Sequence, residues 1–329
     1  MGQGIALAVL GAAGLNGENL LQLLAESSLA YRSLRLLDDD SQLGRKLSVG
    51  DALLPLETYP QAEFHDIDLV LACEPPTAEL VQRIGEQGAS LIAPASALSG
   101  AQPLVAELNL GRVSPRKGDA LALPPAEACI MARLLSPLHD ELGLHAVHSH
   151  WVRSVGLQGR AALQALAGET VQLLNGKRPK PGPFPQPIAF NLLSLDSRSQ
   201  EQDLRHLWAS LWGDNYLILS INSVLAPLFF GDIVSISMVI EQPSNRAEIG
   251  QLLASVEDLS LHAEDETGTL TTADSKDGRA MRLGHLRQTD AEGRCFSFQI
   301  ALDAARDGFA RNLLKVADNL AKNLFISYS

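Results

Sequence analysis

The chain of 329 residues is 46% hydrophobic and carries a formal net charge of −12, which suits two domains with full cores and argues against a broad electrostatic footprint for nucleic acid. No run of about 18 apolar residues occurs, and the amino terminus has no basic residue ahead of its apolar run, so neither a membrane span nor a secretion signal is expected. Cys73, Cys129 and Cys295 are odd in number, widely spaced and without C-x-x-C geometry, the pattern of reduced thiols in a cytoplasmic protein that form neither a disulfide framework nor a zinc cluster.

Residues 5–10 form an uncharged apolar run of the kind that becomes a parallel strand covered on both faces. The turn Gly11-Ala12-Ala13-Gly14-Leu15-Asn16-Gly17 follows, and from Glu18 onward Leu20, Leu21, Leu23 and Leu24 take helical spacing. Glycines at such a junction let the backbone approach a pyrophosphate, toward which the free amides of a helix N-terminus point. The spacing is G-x-x-G-x-x-G rather than G-x-G-x-x-G, and an ordinary tight turn is the competing account. Residues 31–37 predict a second strand ending on Asp38-Asp39-Asp40. An acid about 20 residues past the turn can hold an adenosine ribose hydroxyl; a solvated acidic turn is the alternative. Residues 69–72 and 89–93 read as further buried strands with a helix over 77–88 between them, giving a parallel sheet with right-handed crossovers. Pro124-Pro125-Ala126-Glu127 opens a helix running through Leu138, because proline suits a first helical position and an acid the first turn.

The second half changes character. Residues 145–152 alternate, 159–175 and 199–213 are helical, the latter bearing Trp208 and Trp212, and the proline-rich stretch 177–187 can be neither helix nor strand. Residues 216–224, 233–240, 279–287 and 294–302 predict strands, with a helix over 246–256, which makes a second α+β domain on a mixed or antiparallel sheet. Residues 310–325 close the chain as an amphipathic helix whose apolar stripe, Leu313, Leu314, Val316, Leu320 and Leu324, needs a partner. The expected division is residues 1–126 with 306–329 as a Rossmann-like dinucleotide-binding domain, and 127–305 as the second domain.

Three sets of residues are open to chemistry. Cys129 lies early in a helix, where the dipole can acidify a thiol, but a small apolar thiol one turn inside a helix also suits core packing. His148 and His150 share one face of a strand; a metal would need a third ligand that the sequence does not name, and a solvated face is the plainer account. Lys177, Arg178 and Lys180 among their prolines could bind an anion or simply form a solvated loop.

These segments together resemble the aspartate-β-semialdehyde dehydrogenase family, nearly end to end. The glycine turn is similar to that family's GATGLVG, and Gly44-Arg45-Lys46-Leu47 to its segment after the second strand. Pro103-Leu104-Val105-Ala106-Glu107-Leu108-Asn109 resembles PLVVPEVN, Phe184-Pro185-Gln186-Pro187-Ile188-Ala189-Phe190-Asn191 resembles FPHPIAFN, and Arg306-Asp307-Gly308-Phe309-Ala310-Arg311-Asn312 resembles RKGAALN. The resemblance implies an α/β dinucleotide domain holding NAD(P) through Gly11, Ala13, Gly14, Leu15, Asn16 and Asp38, and a second domain that pairs two copies through an apolar outer sheet face. With three aspartates after the second strand, NAD should be preferred over NADP, since a carboxylate repels a 2′-phosphate. Asn16 and Glu74 depart from the family's cofactor contacts.

The resemblance also implies a catalytic cysteine, histidine, glutamine and two arginines. A gapless match anchored on Ser136-Pro137-Leu138 sets Leu123-Pro124-Pro125-Ala126 on the family's N-P-N-C, so Ala126 stands at the nucleophile and Cys129 three residues beyond it. Val224 to Asp232 matches VRVPVFRGH, with Leu225 at an arginine and Asp232 at the histidine; Val152 falls on the glutamine and Ser99 on the second arginine. Alanine forms no thioester or thiohemiacetal, and an aspartate with its usual pKa near 4 is a weak base at neutral pH. This pattern is similar to the Usg-type members that keep the fold without its catalytic residues. A dimeric structural, regulatory or nucleotide-binding protein is the expectation. The rivals are an active NAD(P)-dependent aldehyde oxidoreductase of amino-acid biosynthesis using Cys129, and a dinucleotide sensor.

Overall fold

Strand β1 (Ile5–Leu10) is buried at every position because its side chains feed two cores. Ile5, Leu7 and Val9 enter one, and Ala6, Ala8 and Leu10 the other. A strand covered on both faces has no solvent side to carry polar alternation. The computed structural model describes residues 4–180, 182–213, 216–261, 269–275 and 281–325. Its residues fall into two units: those through Cys129 together with those from Gly308 onward, and Ile130–Asp307.

In the first unit β1 is followed by α1 (Leu15–Glu26), β2 (Tyr31–Asp38), β3 (Lys46–Val49), β4 (Ala52–Thr58), β5 (Leu69–Ala72), α2 (Ala78–Glu86), β6 (Ser90–Pro94) and β7 (Ala120–Leu123). They form a seven-stranded sheet in the order β3-β4-β2-β1-β5-β6-β7, parallel except for the β3–β4 hairpin. That hairpin and β7 were not legible in the sequence. Pro55 interrupts the β4 pattern, and β4 pairs with β2 only beyond it, from Leu56 to Thr58. Helix α1 packs on one face of the sheet, and α2, capped by the Thr77 hydroxyl on the Leu80 amide, supplies Leu80 and Ile84 to the other.

Helix α3 (Ala126–Leu142) continues four residues past the predicted end at Leu138 and contains Pro137. Proline removes the amide that would serve the carbonyl four residues back, that of Arg133. The Ser136 hydroxyl donates to that carbonyl at 3.3 Å. The second unit continues with β8 (Leu144–Arg153), α4 (Arg160–Leu174), β9 (Leu193–Leu195), α5 (Arg198–Trp212), β10 (Ile218–Leu225), β11 (Asp232–Ile240), α6 (Arg246–Ala254), β12 (Leu259–Leu261), β13 (Met281–Gln288) and β14 (Cys295–Leu302). The start of the strand predicted over 279–287 lies outside the described residues. The sheet order is β12-β13-β14-β11-β8-β10-β9. It is mixed, with β8–β10 and β12–β13 parallel and the other pairs antiparallel. Helices α3 and α5 meet through His139, whose ring lies edge-on to Trp208 and Trp212 at 4.9 and 5.3 Å.

The inner face of this sheet is mainly apolar around Trp151, Ile236, Phe296 and Phe298, with Ser149 and Ser223 buried among them. Its outer face corrects the expectation of an apolar surface. Strands β14, β11, β8 and β10 present four rows in register: Cys295-Val239-Ala146-Ile218, Ser297-Ser237-His148-Ser220, Gln299-Ser235-His150-Asn222 and Ala301-Ile233-Val152-Val224. Only the two end rows are mainly apolar. The two middle rows are polar but uncharged, because period-two alternation places Ser, His, Asn and Gln opposite the buried hydrophobes.

Near the end of the chain the single predicted helix over 310–325 is instead a π-helical stretch (Ala304–Ala310), α7 (Arg311–Leu320) and a further π-helical turn (Ala321–Phe325). Leu313, Val316, Ala317 and Leu320 join Leu20 and Leu24 of α1 in one core of the first unit. Buried Asn312 accepts from the Ala106 amide at 2.9 Å and donates to the Leu104 carbonyl at 2.8 Å. Replacing Asn312 with alanine strands two backbone groups, so Asn312→Ala is expected to lower unfolding free energy by about 2–3 kcal/mol. Lys315→Ala, which removes the partly exposed ion pair with Glu107, should cost less than about 1 kcal/mol. Urea denaturation of both variants checks the contrast.

Candidate functional site

The glycine turn holds three glycines with three different jobs. Gly11 sits at φ +70°, a conformation that disfavours side chains. Gly14 caps α1 and offers no side chain to its first amides, leaving them for an anion. A Cβ on Gly17 would stand 2.3 Å from the Gly11 carbonyl oxygen and 2.5 Å from that of Ala12, so this glycine lets the helix close onto the turn. Leu15 and Asn16 open the helix, and the Asn16 amide donates to the Cys73 carbonyl at 3.2 Å.

Asp38 is buried at the end of β2 and faces this turn. One carboxylate oxygen accepts from the Ala13 amide at 2.7 Å and the other from the Asp39 amide at 2.9 Å. Asp39 caps the next turn through the Ser41 amide at 2.7 Å, and the Ser41 side chain, then that amide, hold its carboxyl below the usual range. Glu74 leans over Gly11: a Cβ there would meet the Glu74 Cγ at 2.8 Å. Burial, then the charges of Asp38 and Asp39, push the Glu74 carboxyl above its usual value. Burial, then Glu74, Asp39, Asp38 and Asp40, push the Tyr59 phenol up. The backbone therefore fits a ribosyl pyrophosphate, which Gly11, Ala13, Gly14, Leu15 and Asn16 could surround and Asp38 could approach at the ribose. The surrounding field is negative. A polar hollow of about 490 Å³ lined by Arg32, His65, Asp68 and Lys117 lies at the opposite, amino-terminal ends of the strands, where Asp68 already pairs with Arg32 and Lys117.

At the start of α3, Ala126 is its first residue. Its carbonyl oxygen lies 2.4 Å from where a Cβ on Gly308 would be, so the returning chain packs against this backbone. Cys129 follows one turn later with 0% exposure, its amide bonded to the Pro125 carbonyl at 3.0 Å.

In the second unit Asp232 opens β11 at 1% exposure. Its Oδ1 accepts from the Ser154 amide at 2.8 Å, whereas Oδ2 has no hydrogen-bond partner among the described residues. Burial raises its pKa from 3.8 to about 7, against the downward pull of the Ser154 bond and the Arg153 guanidinium and with a further push from Asp303. The expectation of an ordinary weak carboxylate base is thus corrected: desolvation brings this group near the range of a histidine. Leu225 is 1% exposed and packs with Val155, Ala162, Leu166, Ile188 and Ala189. Val152 stands in the end row of the outer sheet face, and Ser99 is exposed in a turn.

Lys177, Arg178 and Lys180 are exposed. The neighbouring motif of residues 184–191 is held by buried Glu169, whose Oε2 accepts from the amides of Ile188 at 2.7 Å and Ala189 at 3.0 Å. The sequence reading missed Glu169; its signal was a lone acid within the apolar face of α4. It also missed Arg153 and Asp303 beside Asp232, which come together only through strand register. His148 and His150 are exposed on the outer sheet face. Among the described residues no group of three or more His, Cys, Asp or Glu can hold a metal ion.

A parallel nucleotide-type sheet with this turn, joined to a mixed-sheet unit, defines a two-domain α/β protein of the dehydrogenase kind. The chain belongs to the semialdehyde dehydrogenase family: residues 6–113 match its NAD binding domain and residues 135–306 its dimerisation domain. It is 27% identical to a USG-1 protein homolog of Pseudomonas aeruginosa, over 98% of this chain and 99% of the relative. It is 23% identical to aspartate-semialdehyde dehydrogenase 2 of Vibrio cholerae, over 99% of this chain and 100% of that one. Among solved structures, a probable aspartate-semialdehyde dehydrogenase from Pseudomonas aeruginosa superimposes with a TM-score of 0.87 at 26% identity, covering 97% of this chain and 99% of that chain.

The raised pKa of Asp232 has a consequence for stability. Between its ordinary value of 3.8 and about 7, the folded state keeps a proton that the unfolded state has lost, so stability falls as pH rises through this window and levels off above it. Asparagine keeps the acceptor for Ser154 without the charge. Asp232→Asn is therefore expected to match the wild type near pH 4 and to gain roughly 1–3 kcal/mol over it by pH 8. Thermal unfolding across that range checks this, and a variant less stable at pH 8 would show that attraction to Arg153 outweighs desolvation.

Proposed function

We propose that this chain is a Usg-type member of its family: a cytoplasmic homodimer without semialdehyde dehydrogenase activity, serving a structural, regulatory or dinucleotide-binding role. The observation that carries this is Ala126 at the first position of α3, where the family resemblance sets the nucleophile. A methyl group cannot attack an aldehyde or acyl phosphate, and without the covalent adduct the route for hydride transfer is gone. Three features support the reading. The Cys129 thiol is wholly buried, Leu225 belongs to an apolar core where the resemblance sets a substrate-binding arginine, and Ser99 offers no charge at the position of the second. One observation favours the active alternative, in that Asp232 with a pKa of about 7 has the basicity of a general base.

The test is phosphate-dependent reduction of NAD or NADP by aspartate semialdehyde. Wild type and Cys129→Ala should both be silent, and Ala126→Cys alone should not restore turnover, since the substrate still lacks its two guanidinium partners. Wild-type turnover abolished by Cys129→Ala would establish the active reading instead.

The dinucleotide role rests on the glycine turn with Asp38 beside it. Asp38, Asp39 and Asp40 oppose a 2′-phosphate, so NAD is the preferred ligand over NADP. Glu74 sets a negative charge against the pyrophosphate, and protonation of its upward-shifted carboxyl removes that repulsion. Calorimetry should find NAD binding that tightens as pH is lowered from neutrality toward the carboxylate range. Glu74→Gln should tighten it several-fold at pH 8 and flatten the pH dependence, and tighter NADP than NAD would refute the assignment.

A further inference from the structure

The outer face of the second unit's sheet is unusual in what it lacks. The sixteen positions formed by four rows on β14, β11, β8 and β10 include no Asp, Glu, Lys or Arg. Depletion of charge marks the centre of a protein interface. The whole array lies within residues 135–306, the part that matches a dimerisation domain. The occupant that suits this face is a second copy of this chain, as in the proposed dimer, on which the present inference rests.

At the middle of the array, on β8, stand His148 and His150. Their neighbours across the register are Ser237 and Ser235 on β11, and Ser220 and Asn222 on β10. Both histidines are exposed in a single copy, and neither is among the bonded or ion-paired side chains of the described residues. A closed interface would leave such imidazoles as polar groups without partners, unless the second copy supplied something for them. Alone they are two ligands and not a site.

We propose that His148 and His150 of two copies together hold one divalent first-row transition ion of the zinc class between the facing sheets. A two-fold interface is self-complementary, so the array meets itself. Facing sheets pack about 10 Å apart, neighbouring strands lie about 4.8 Å apart, and residues two apart along a strand are separated by about 7 Å. An axis lying between the sheets at the centre of the array would let the four imidazoles reach toward a common point from opposite sides. Neutral imidazole suits zinc, copper and nickel, whereas magnesium and calcium demand oxygen ligands and carboxylates that this face does not carry. The sixteen positions carry no cationic side chain; on the flanking strand β13, Arg287 donates to the Ser297 hydroxyl at 2.8 Å, three strands from His148.

The experiment uses tag-free, full-length protein stripped with a chelator, followed by sedimentation equilibrium and calorimetry with Zn²⁺ or Mg²⁺ added. One zinc per two chains is expected, with at least a tenfold fall in the dimer dissociation constant and no response to magnesium. The double variant His148→Ala/His150→Ala should keep its circular dichroism and lose the zinc response. Zinc bound one per chain, a zinc response that persists in the double variant, or a dimer indifferent to zinc would overturn the site while leaving the dimer intact. A monomer under every condition would overturn the dimer and the site together.

Discussion

The close approach of α1 to the turn after β1 is the constraint on which the first unit depends. Gly17 sits so near the carbonyls of Gly11 and Ala12 that even a methyl group would push the helix away. Asp38 fastens the same turn from the other side through the Ala13 amide. Once helix, turn and β2 are joined in this way, Leu20 and Leu24 are fixed against alternate residues of β1, and α7 has a surface to cover. Glycines that look like a ligand signature are thus also packing requirements, and the two demands coincide because a backbone bare enough to admit a phosphate is bare enough to admit a helix.

Several positions on which the family resemblance bears make ordinary structural contacts. Leu225 belongs to a core with Ile188 and Ala189, while Glu169 ties the backbone of that same motif to α4. Asp232 holds the Ser154 amide from an environment that disfavours its charge. Each of these contacts contributes to holding the second unit's strand ends and loops together.

The parallel sheet was legible because continuous apolar runs such as residues 5–10 and 69–72 have few other uses, and the glycine turn fixed where a strand gave way to a helix. The β3–β4 hairpin was hidden by Pro55, and α3 runs unbroken across Pro137 with Ser136 satisfying the carbonyl that the proline abandons. The polar middle of the second sheet's outer face was visible as alternation in residues 145–152, yet the expectation of an apolar face came from thinking of interfaces as bisected cores. Asp232's shifted acidity could not be read at all. It depends on burial and on the neighbours Arg153 and Asp303, which lie far from it along the chain.

Gly308 against the carbonyl of Ala126 marks where the last segment of the chain rejoins the first unit. That unit is therefore interrupted in sequence by the whole of the other. During vectorial synthesis the sheet built on β1 emerges from the ribosome before α7, which joins Leu20 and Leu24 in one core, and the whole of Ile130–Asp307 is made between them. The later-encoded Ile130–Asp307 unit is complete before the earlier one. The nascent first unit thus carries an uncovered leucine surface while the second is being made, the kind of surface that chaperones capture.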